Sequence, residues 1–126
     1  MHRATLLTLA AVLAAAAAMP AQAAGDAAKG AAIFASDCAE CHSAKEGKDK
    51  KGPTMFEVVG RTAGQKEGFI FSDALKASGL VWNAETLSGY LAGPKKFVPG
   101  GKMKYDGLDS ATARDDLIAY LATLVK

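Results

Sequence analysis

The sequence predicts a single all-α domain, and three observations lead to that prediction. First, the C-terminal segment carries an apolar stripe at helical period, comprising Leu117, Ile118, Leu121, Leu124 and Val125. Second, a spacing of i, i+3, i+4 places three more apolar side chains on one helical face, comprising Leu87, Tyr90 and Leu91. Third, the alternation typical of a strand is nowhere sustained, and no internal repeat is visible. These patterns favour helices joined by loops.

The first 23 residues have the three parts of a secretory signal peptide. A short positive segment, Met1-His2-Arg3, precedes an apolar run from Leu6 to Ala18, and small residues of A-x-A type follow. A membrane anchor is the alternative, but a span needs about 20 apolar residues and this run is shorter. We therefore expect cleavage after Ala23 or Ala24, which leaves one domain over residues 24–126.

The first helix of that domain leads directly into the most informative motif. Asp26 can cap the helix, and Ile33 and Phe34 can face inward. The next residues form the pentapeptide Cys38-Ala39-Glu40-Cys41-His42, which has the spacing of a c-type haem attachment site. The two thiols would join one haem covalently, and the imidazole of His42 would be an axial ligand of its iron.

Three other interpretations of the cysteine pair are weaker. A structural zinc site needs about four ligands of N or S type, whereas this chain has two cysteines and two histidines, of which His2 lies in the signal peptide. A haem-free dithiol oxidoreductase would place the motif in a βαβ unit, and no such pattern is present. A disulfide between Cys38 and Cys41 would close a very short loop and stabilise little.

The rest of the chain divides into two loops and three helices. Residues 43–51 are polar and lysine-rich, and Gly52-Pro53 closes that loop. A short helix over residues 72–78 begins at Ser72 as its N-cap, and a better one runs from Asn83 to Gly93-Pro94. Residues 95–107 contain prolines, glycines and lysines and are predicted to be a loop. Asp109 or Ser110 then caps the last helix.

The axial position opposite His42 is either open or filled by a methionine. No second histidine follows the signal peptide, and only two methionines do, Met55 and Met103. Met55 lies beside apolar residues and is most simply a core side chain. Met103 lies between lysines in a glycine-rich loop, where iron ligation would explain an apolar side chain. Met103 is therefore the predicted second ligand. The alternative is that Met103 only covers the haem edge and leaves the iron five-coordinate.

The mature segment closely resembles class I cytochromes c, particularly soluble bacterial ones of the mitochondrial-like type. The resemblance covers almost all of residues 24–126 and follows one order along the chain. Its elements are Gly30, Phe34, the motif Cys38 to His42, Gly52-Pro53, Gly60-Arg61, Trp82, Tyr90-Leu91, residues 94–100, Lys102-Met103 and residues 117–121. It implies a fold in which N- and C-terminal helices cross while short helices and loops surround one covalent haem.

The resemblance also implies roles for residues around the haem. The carbonyl of Pro53 would accept the Nδ1 proton of His42, and Tyr90 would hydrogen-bond near the Met103 sulfur. Trp82 would donate its indole N–H to a haem propionate, and Arg61 would help neutralise the charge of that group. Gly30 would allow the first helix to approach the last near Leu117 and Tyr120.

At two positions the chain departs from the pattern of the family. Phe71 and Gly101 replace a tyrosine and a threonine that often donate to propionates in the family. A propionate without these donors would be more exposed to solvent, have a raised pKa, or rely more on Trp82, Arg61 and Ser72. Gly101 should also make the Met103 loop more flexible.

These features predict a soluble periplasmic one-electron carrier that cycles its iron between Fe(II) and Fe(III), and not an enzyme. The alternative is a five-coordinate haem peroxidase or a binder of NO or CO, but the mature chain has no spare histidine for distal catalysis. The formal charge of +2 falls to about +1 without Arg3, so no nucleic-acid partner is expected.

We expect a monomer with no stable membrane insertion. Redox partners should dock on a lysine-rich haem edge, comprising Lys45, Lys48, Lys50, Lys51, Lys95, Lys96, Lys102 and Lys104.

Overall fold

The computed structural model describes residues 25–126, so the predicted signal peptide lies outside the described residues. This range contains five α-helices, α1 Ala27–Ile33, α2 Asp73–Ala77, α3 Ala84–Ala92, α4 Pro94–Phe97 and α5 Ala111–Ala122. No strand forms over residues 25–126, where a single isolated bridge pairs Thr62 with Val81. The predicted all-α class is confirmed.

Helix α1 delivers the cysteine motif, as the sequence predicts, but its last turn is wider than an α-helical turn. The Asp26 side chain caps α1 by accepting hydrogen bonds from the amides of Ala28 and Lys29. The chain then continues into a π-helical turn, Phe34–Cys38, in which the amide of Ala39 donates to the Phe34 carbonyl at 2.8 Å. Such turns often occur at functional sites.

Helices α1 and α5 cross in direct backbone contact because Gly30 has no side chain. A Cβ atom added at Gly30 would lie 1.9 Å from the Asp116 carbonyl oxygen and 2.8 Å from the Tyr120 Cβ. The buried Asp116 carboxylate also accepts a hydrogen bond from the Asp26 amide at 2.8 Å. Beyond the crossing, the rings of Phe34 and Tyr120 pack with centroids 5.4 Å apart. The predicted crossing of the terminal helices is confirmed.

The middle helices begin at the predicted caps. The Ser72 hydroxyl accepts a hydrogen bond from the Leu75 amide at the start of α2. Asn83 and Thr86 form a reciprocal capping box at the start of α3, and Gly93 ends that helix. These hydrogen bonds satisfy amides that have no partner within their own helix.

Two sequence-based boundaries are wrong. Residues 95–107 are not entirely loop, because α4 forms at their start, where Pro94 has a backbone angle suited to a first helical turn and Gly93 accepts from the Lys96 and Phe97 amides. Helix α5 ends at Ala122, so Leu124 and Val125 follow the helix rather than extend its stripe. The Leu124 carbonyl instead accepts from the Glu57 amide at 2.7 Å.

The hydrophobic core lies between α1, α3 and α5 and beside the cavity described next. Its buried members are Phe34, Val58, Ala63, Trp82, Leu87, Leu91, Leu117, Ile118 and Leu121. No helix over residues 25–126 is both long and apolar enough to cross a membrane.

Candidate haem-binding site

A cavity of about 480 Å³ opens beside the core and collects all nine of the predicted site residues. Its size is within the usual range for sites that bind small molecules and cofactors. The predicted haem residues that line it are Cys38, Cys41, His42, Pro53, Arg61, Ser72, Trp82, Tyr90 and Met103. The structure therefore brings together residues separated by as many as 65 positions in the sequence.

The loop that closes at Gly52-Pro53 fixes the orientation of the His42 ring. His42 Nδ1 lies 2.8 Å from the Pro53 carbonyl oxygen, which can only accept, so Nδ1 carries the proton. Burial lowers the pKa of His42, which outweighs the opposing effect of that hydrogen bond, and nearby Lys50 lowers it further. The ring is therefore neutral at pH 7, and its Nε2 lone pair is free to bind a metal.

Gly52 is in contact with the face of this ring. A Cβ atom at position 52 would lie 2.3 Å from His42 Cε1 and 2.7 Å from Nδ1. Glycine is therefore needed here for space, since any side chain would collide with the imidazole.

The two thiols lie half-buried on the cavity wall and form no disulfide with each other. Burial, with smaller effects from Asp37 and Cys41, raises the pKa of Cys38 to about 11. A dithiol oxidoreductase needs a reactive thiolate with a lowered pKa, so the raised value disfavours that alternative.

Both candidate methionines line the cavity, but they differ in their surroundings. Met55 packs against the hydrophobic core, and its amide donates to the Ser43 carbonyl at 2.8 Å. Met103 is half-buried in the loop after α4 and is not among the side chains packed on that core. Met55 thus has a packing role that Met103 lacks.

Three polar side chains on the cavity wall retain donors for a ligand. Neither the Trp82 indole N–H nor the Tyr90 hydroxyl donates a hydrogen bond within residues 25–126. Both atoms retain some accessible surface, and both residues line the cavity. Burial raises the pKa of Tyr90, so its hydroxyl keeps its proton at neutral pH. The Ser72 oxygen accepts from Leu75, which leaves its hydroxyl proton available.

Arg61 has a structural connection that the sequence does not indicate. Its guanidinium donates to the carbonyls of Thr54 and Phe56 at 3.0 and 2.6 Å, which holds the segment after Pro53. The residue also lines the cavity, so its positive charge is near any anionic group bound there.

The two positions that depart from the family pattern also line the cavity. Phe71 packs beside Phe69 and has no hydroxyl to donate, and Gly101 has no side chain.

A pair of residues at the cavity rim was not predicted. The Tyr105 hydroxyl donates to Asp37 Oδ2 at 2.9 Å, and both residues line the cavity. Burial and this bond to a carboxylate together raise the pKa of Tyr105. The two residues are 68 positions apart, Asp37 in the π-helical turn and Tyr105 in the loop after α4, so no local sequence pattern could have indicated the contact.

The chain matches the family model described as Cytochrome c over residues 27–125. The chain belongs to the cytochrome c family. Cytochrome c of Gibberella zeae is 47% identical over 103 residues, which are 81% of this chain and 97% of that protein. Cytochrome c of Stellaria longipes is also 47% identical over 103 residues, 81% of this chain and 95% of that protein. Cytochrome c of Euglena viridis is 42% identical over 100 residues, 79% of this chain and 98% of that protein.

The predicted resemblance to class I cytochromes c is therefore confirmed, and with it one covalent c-type haem joined through Cys38 and Cys41. The cavity of this cytochrome c fits that group, because both thiols, a neutral imidazole and a largely apolar wall with free donors meet in it. The bound haem supplies an iron that accepts and releases one electron. This cytochrome c is accordingly an electron carrier.

The lysines of this cytochrome c that were predicted to form a docking edge are all exposed, but only some of them lie at the cavity. Lys51, Lys102 and Lys104 line its mouth, whereas the other predicted lysines, including Lys95 and Lys96 in α4, do not. Carboxylates also lie at this edge, since Asp37 lines the same mouth and Glu40 pairs with Lys51 at 2.9 Å. The edge thus has mixed charge.

Proposed function

We propose that this cytochrome c carries single electrons between redox proteins in the bacterial periplasm, with His42 and Met103 as the axial ligands of its haem iron. The observation that carries the ligand proposal is that His42 and Met103 line one cavity together with both cysteines. The neutral His42 ring, oriented by Pro53, offers Nε2 to the iron. Imidazole with thioether is a ligand pair that raises the reduction potential.

The surrounding donors support a carrier rather than a catalyst. Trp82 and Ser72 would hold the propionates by their free donors, Arg61 would offset the negative charge of these groups, and Tyr90 would donate near the Met103 sulfur. A cavity whose groups are already in place requires little rearrangement when the iron changes charge. The wall also offers no unused histidine that could act as a general acid or base.

The ligand proposal is tested by a matched pair of substitutions in the haem-loaded protein. Met103→Leu should abolish the weak long-wavelength band of a thioether–iron(III) bond and lower the reduction potential. Met55→Leu changes the same side chain on the same cavity and should leave both properties near wild type, because leucine has a similar volume. Loss of the band in Met55→Leu, or its retention in Met103→Leu, would overturn the assignment. A wild-type protein without the band would indicate the five-coordinate alternative.

The periplasmic part of the proposal rests on residues 1–23. The family match begins at residue 27, so the charged, apolar and small-residue segments of a leader all lie before it. Attachment of haem to a CxxCH motif on the far side of a bacterial plasma membrane would require that export. Intact mass of the haem-loaded protein from a periplasmic extract should correspond to a chain that begins at Ala24 or Gly25. A full-length product retained in the membrane fraction would refute the leader.

A further inference from the structure

The segment that carries Met103 is weakly held between two firm attachments. On one side, the Gly101 amide donates to the Val98 carbonyl at 3.1 Å. On the other, the Leu108 amide donates to the Leu91 carbonyl at 2.8 Å, and Arg114 donates to the carbonyls of Leu108 and Asp109. Residues 102–107 lie between these points in irregular backbone, and Gly100 with a φ of +88° gives the segment a flexible entrance.

Within that stretch one hydrogen bond connects the loop to the rest of the described chain. It is the bond of 2.9 Å from the Tyr105 hydroxyl to Asp37 Oδ2. The acceptor is itself held in place, because the Ser36 hydroxyl donates to the other carboxylate oxygen of Asp37 at 2.6 Å. Asp37 also directly precedes Cys38, so it belongs to the part of the chain that is covalently fixed to the haem.

We infer that Tyr105 and Asp37 form a latch that keeps the Met103 loop closed over the haem. The inference rests on the proposed ligation by Met103. Opening of the loop must break this bond, which has a charged acceptor and is therefore stronger than a neutral one. Tyr105 and Asp37 act as positioning residues, since neither is proposed to touch the iron. The latch offsets the mobility that Gly100 and Gly101 give to the loop.

The inference is tested by competition between Met103 and added imidazole for the ferric iron of the haem-loaded protein. Tyr105→Phe removes one hydroxyl and should raise the apparent affinity for imidazole roughly three- to tenfold, the range expected for one partly exposed hydrogen bond. Asp37→Ala should have a similar effect. The double variant should be little worse than either single one, because both remove the same bond. Asp37→Asn keeps a carbonyl acceptor, so its affinity for imidazole should lie between those of wild type and Asp37→Ala.

Tyr120→Phe is the matched control, because it removes a phenol hydroxyl that makes no hydrogen bond to the described residues. Amide hydrogen exchange of residues 102–106 gives a second measurement that does not depend on the iron, and it should be faster in Tyr105→Phe than in Tyr120→Phe. Unchanged imidazole affinity and exchange in Tyr105→Phe would overturn the latch. If wild-type protein lacks the thioether band, the ligation proposal fails and the latch over the iron fails with it. If the band is present and the two tyrosine variants behave alike, the latch alone is wrong.

Discussion

At the scale of single residues, Gly52 shows how a side chain that is absent can determine a functional one. The space above the His42 ring exists only because position 52 has no Cβ, which would otherwise come within 2.3 Å of Cε1. The ring then lies where its Nδ1 can donate to Pro53. Sequence reasoning interprets Gly52-Pro53 as a turn, yet the glycine also supplies the surface against which the ligand packs.

We therefore expect Gly52→Ala to displace the imidazole and weaken its hydrogen bond to Pro53. Overpacking of this kind costs about 1–3 kcal/mol. Denaturant unfolding of the haem-loaded variant should show that loss, accompanied by a shifted reduction potential. Gly93→Ala is the control, because its Cβ would meet nothing closer than 3.8 Å and its backbone is extended. Equal effects of the two substitutions would contradict the proposed contact.

At the scale of elements, the loop from His42 to Pro53 is organised by one carboxylate. Asp49 Oδ1 accepts from the Thr54 amide at 2.8 Å, and Oδ2 accepts from the Lys66 ammonium at 3.0 Å. Desolvation acts to raise the pKa of Asp49, but these two bonds and the positive charges of Lys66 and Arg61 together outweigh it and lower the pKa below its ordinary value. The carboxylate thus stabilises the fold in its ionised form.

The sign of the pH dependence follows from that lowered pKa. Above the ordinary pKa of an aspartate, near 4, Asp49 contributes its full stabilisation, and this is lost as pH falls through the lower folded-state value. Asp49→Asn should cost about 1 kcal/mol at pH 7, the usual net value of a hydrogen bond of this kind. The difference between variant and wild type should shrink below pH 4 in acid unfolding curves. A difference that stays constant down to pH 2 would show that ionisation of Asp49 is not its cause.

The elements also show which parts of the fold a sequence can predict. Caps at Ser72 and Asn83 and the motif at Cys38 to His42 depend on neighbours a few residues apart, so local pattern suffices to predict them. Helix α4 is local too, since the Gly93 carbonyl accepts from Lys96 and Phe97, but it is a single short turn in a segment whose composition is typical of a loop. The C-terminal end of α5 is followed by a distant pairing, in which the Glu57 amide donates to the Leu124 carbonyl. The Tyr105–Asp37 bond joins the π-helical turn after α1 to the loop after α4, two segments that are 68 positions apart. Contacts of that kind exist only once the whole chain has folded.

At the scale of the whole molecule, the distribution of charge around the cavity matters more than the net charge. Lys51, Lys102 and Lys104 surround the mouth, but Glu40 pairs with Lys51 and Asp37 is held by Tyr105. Lys102 and Lys104 form no ion pair within residues 25–126 and so contribute most of the unbalanced positive charge there. A redox partner that approaches this edge therefore experiences a positive electrostatic potential of short range.

This field predicts a difference between small redox reagents of opposite charge. Reduced protein should react faster with hexacyanoferrate(III), an anion, at low than at high salt, and the cationic tris(phenanthroline)cobalt(III) should show the reverse dependence. Lys104→Glu should slow the reaction with the anion roughly two- to fivefold at low salt and speed the reaction with the cation. Lys29→Glu makes the same change of net charge at an exposed position of helix α1, away from the cavity lining, and should have a smaller effect. Equal effects of the two variants would mean that net charge, and not the lysines at the cavity mouth, governs the approach of a redox partner.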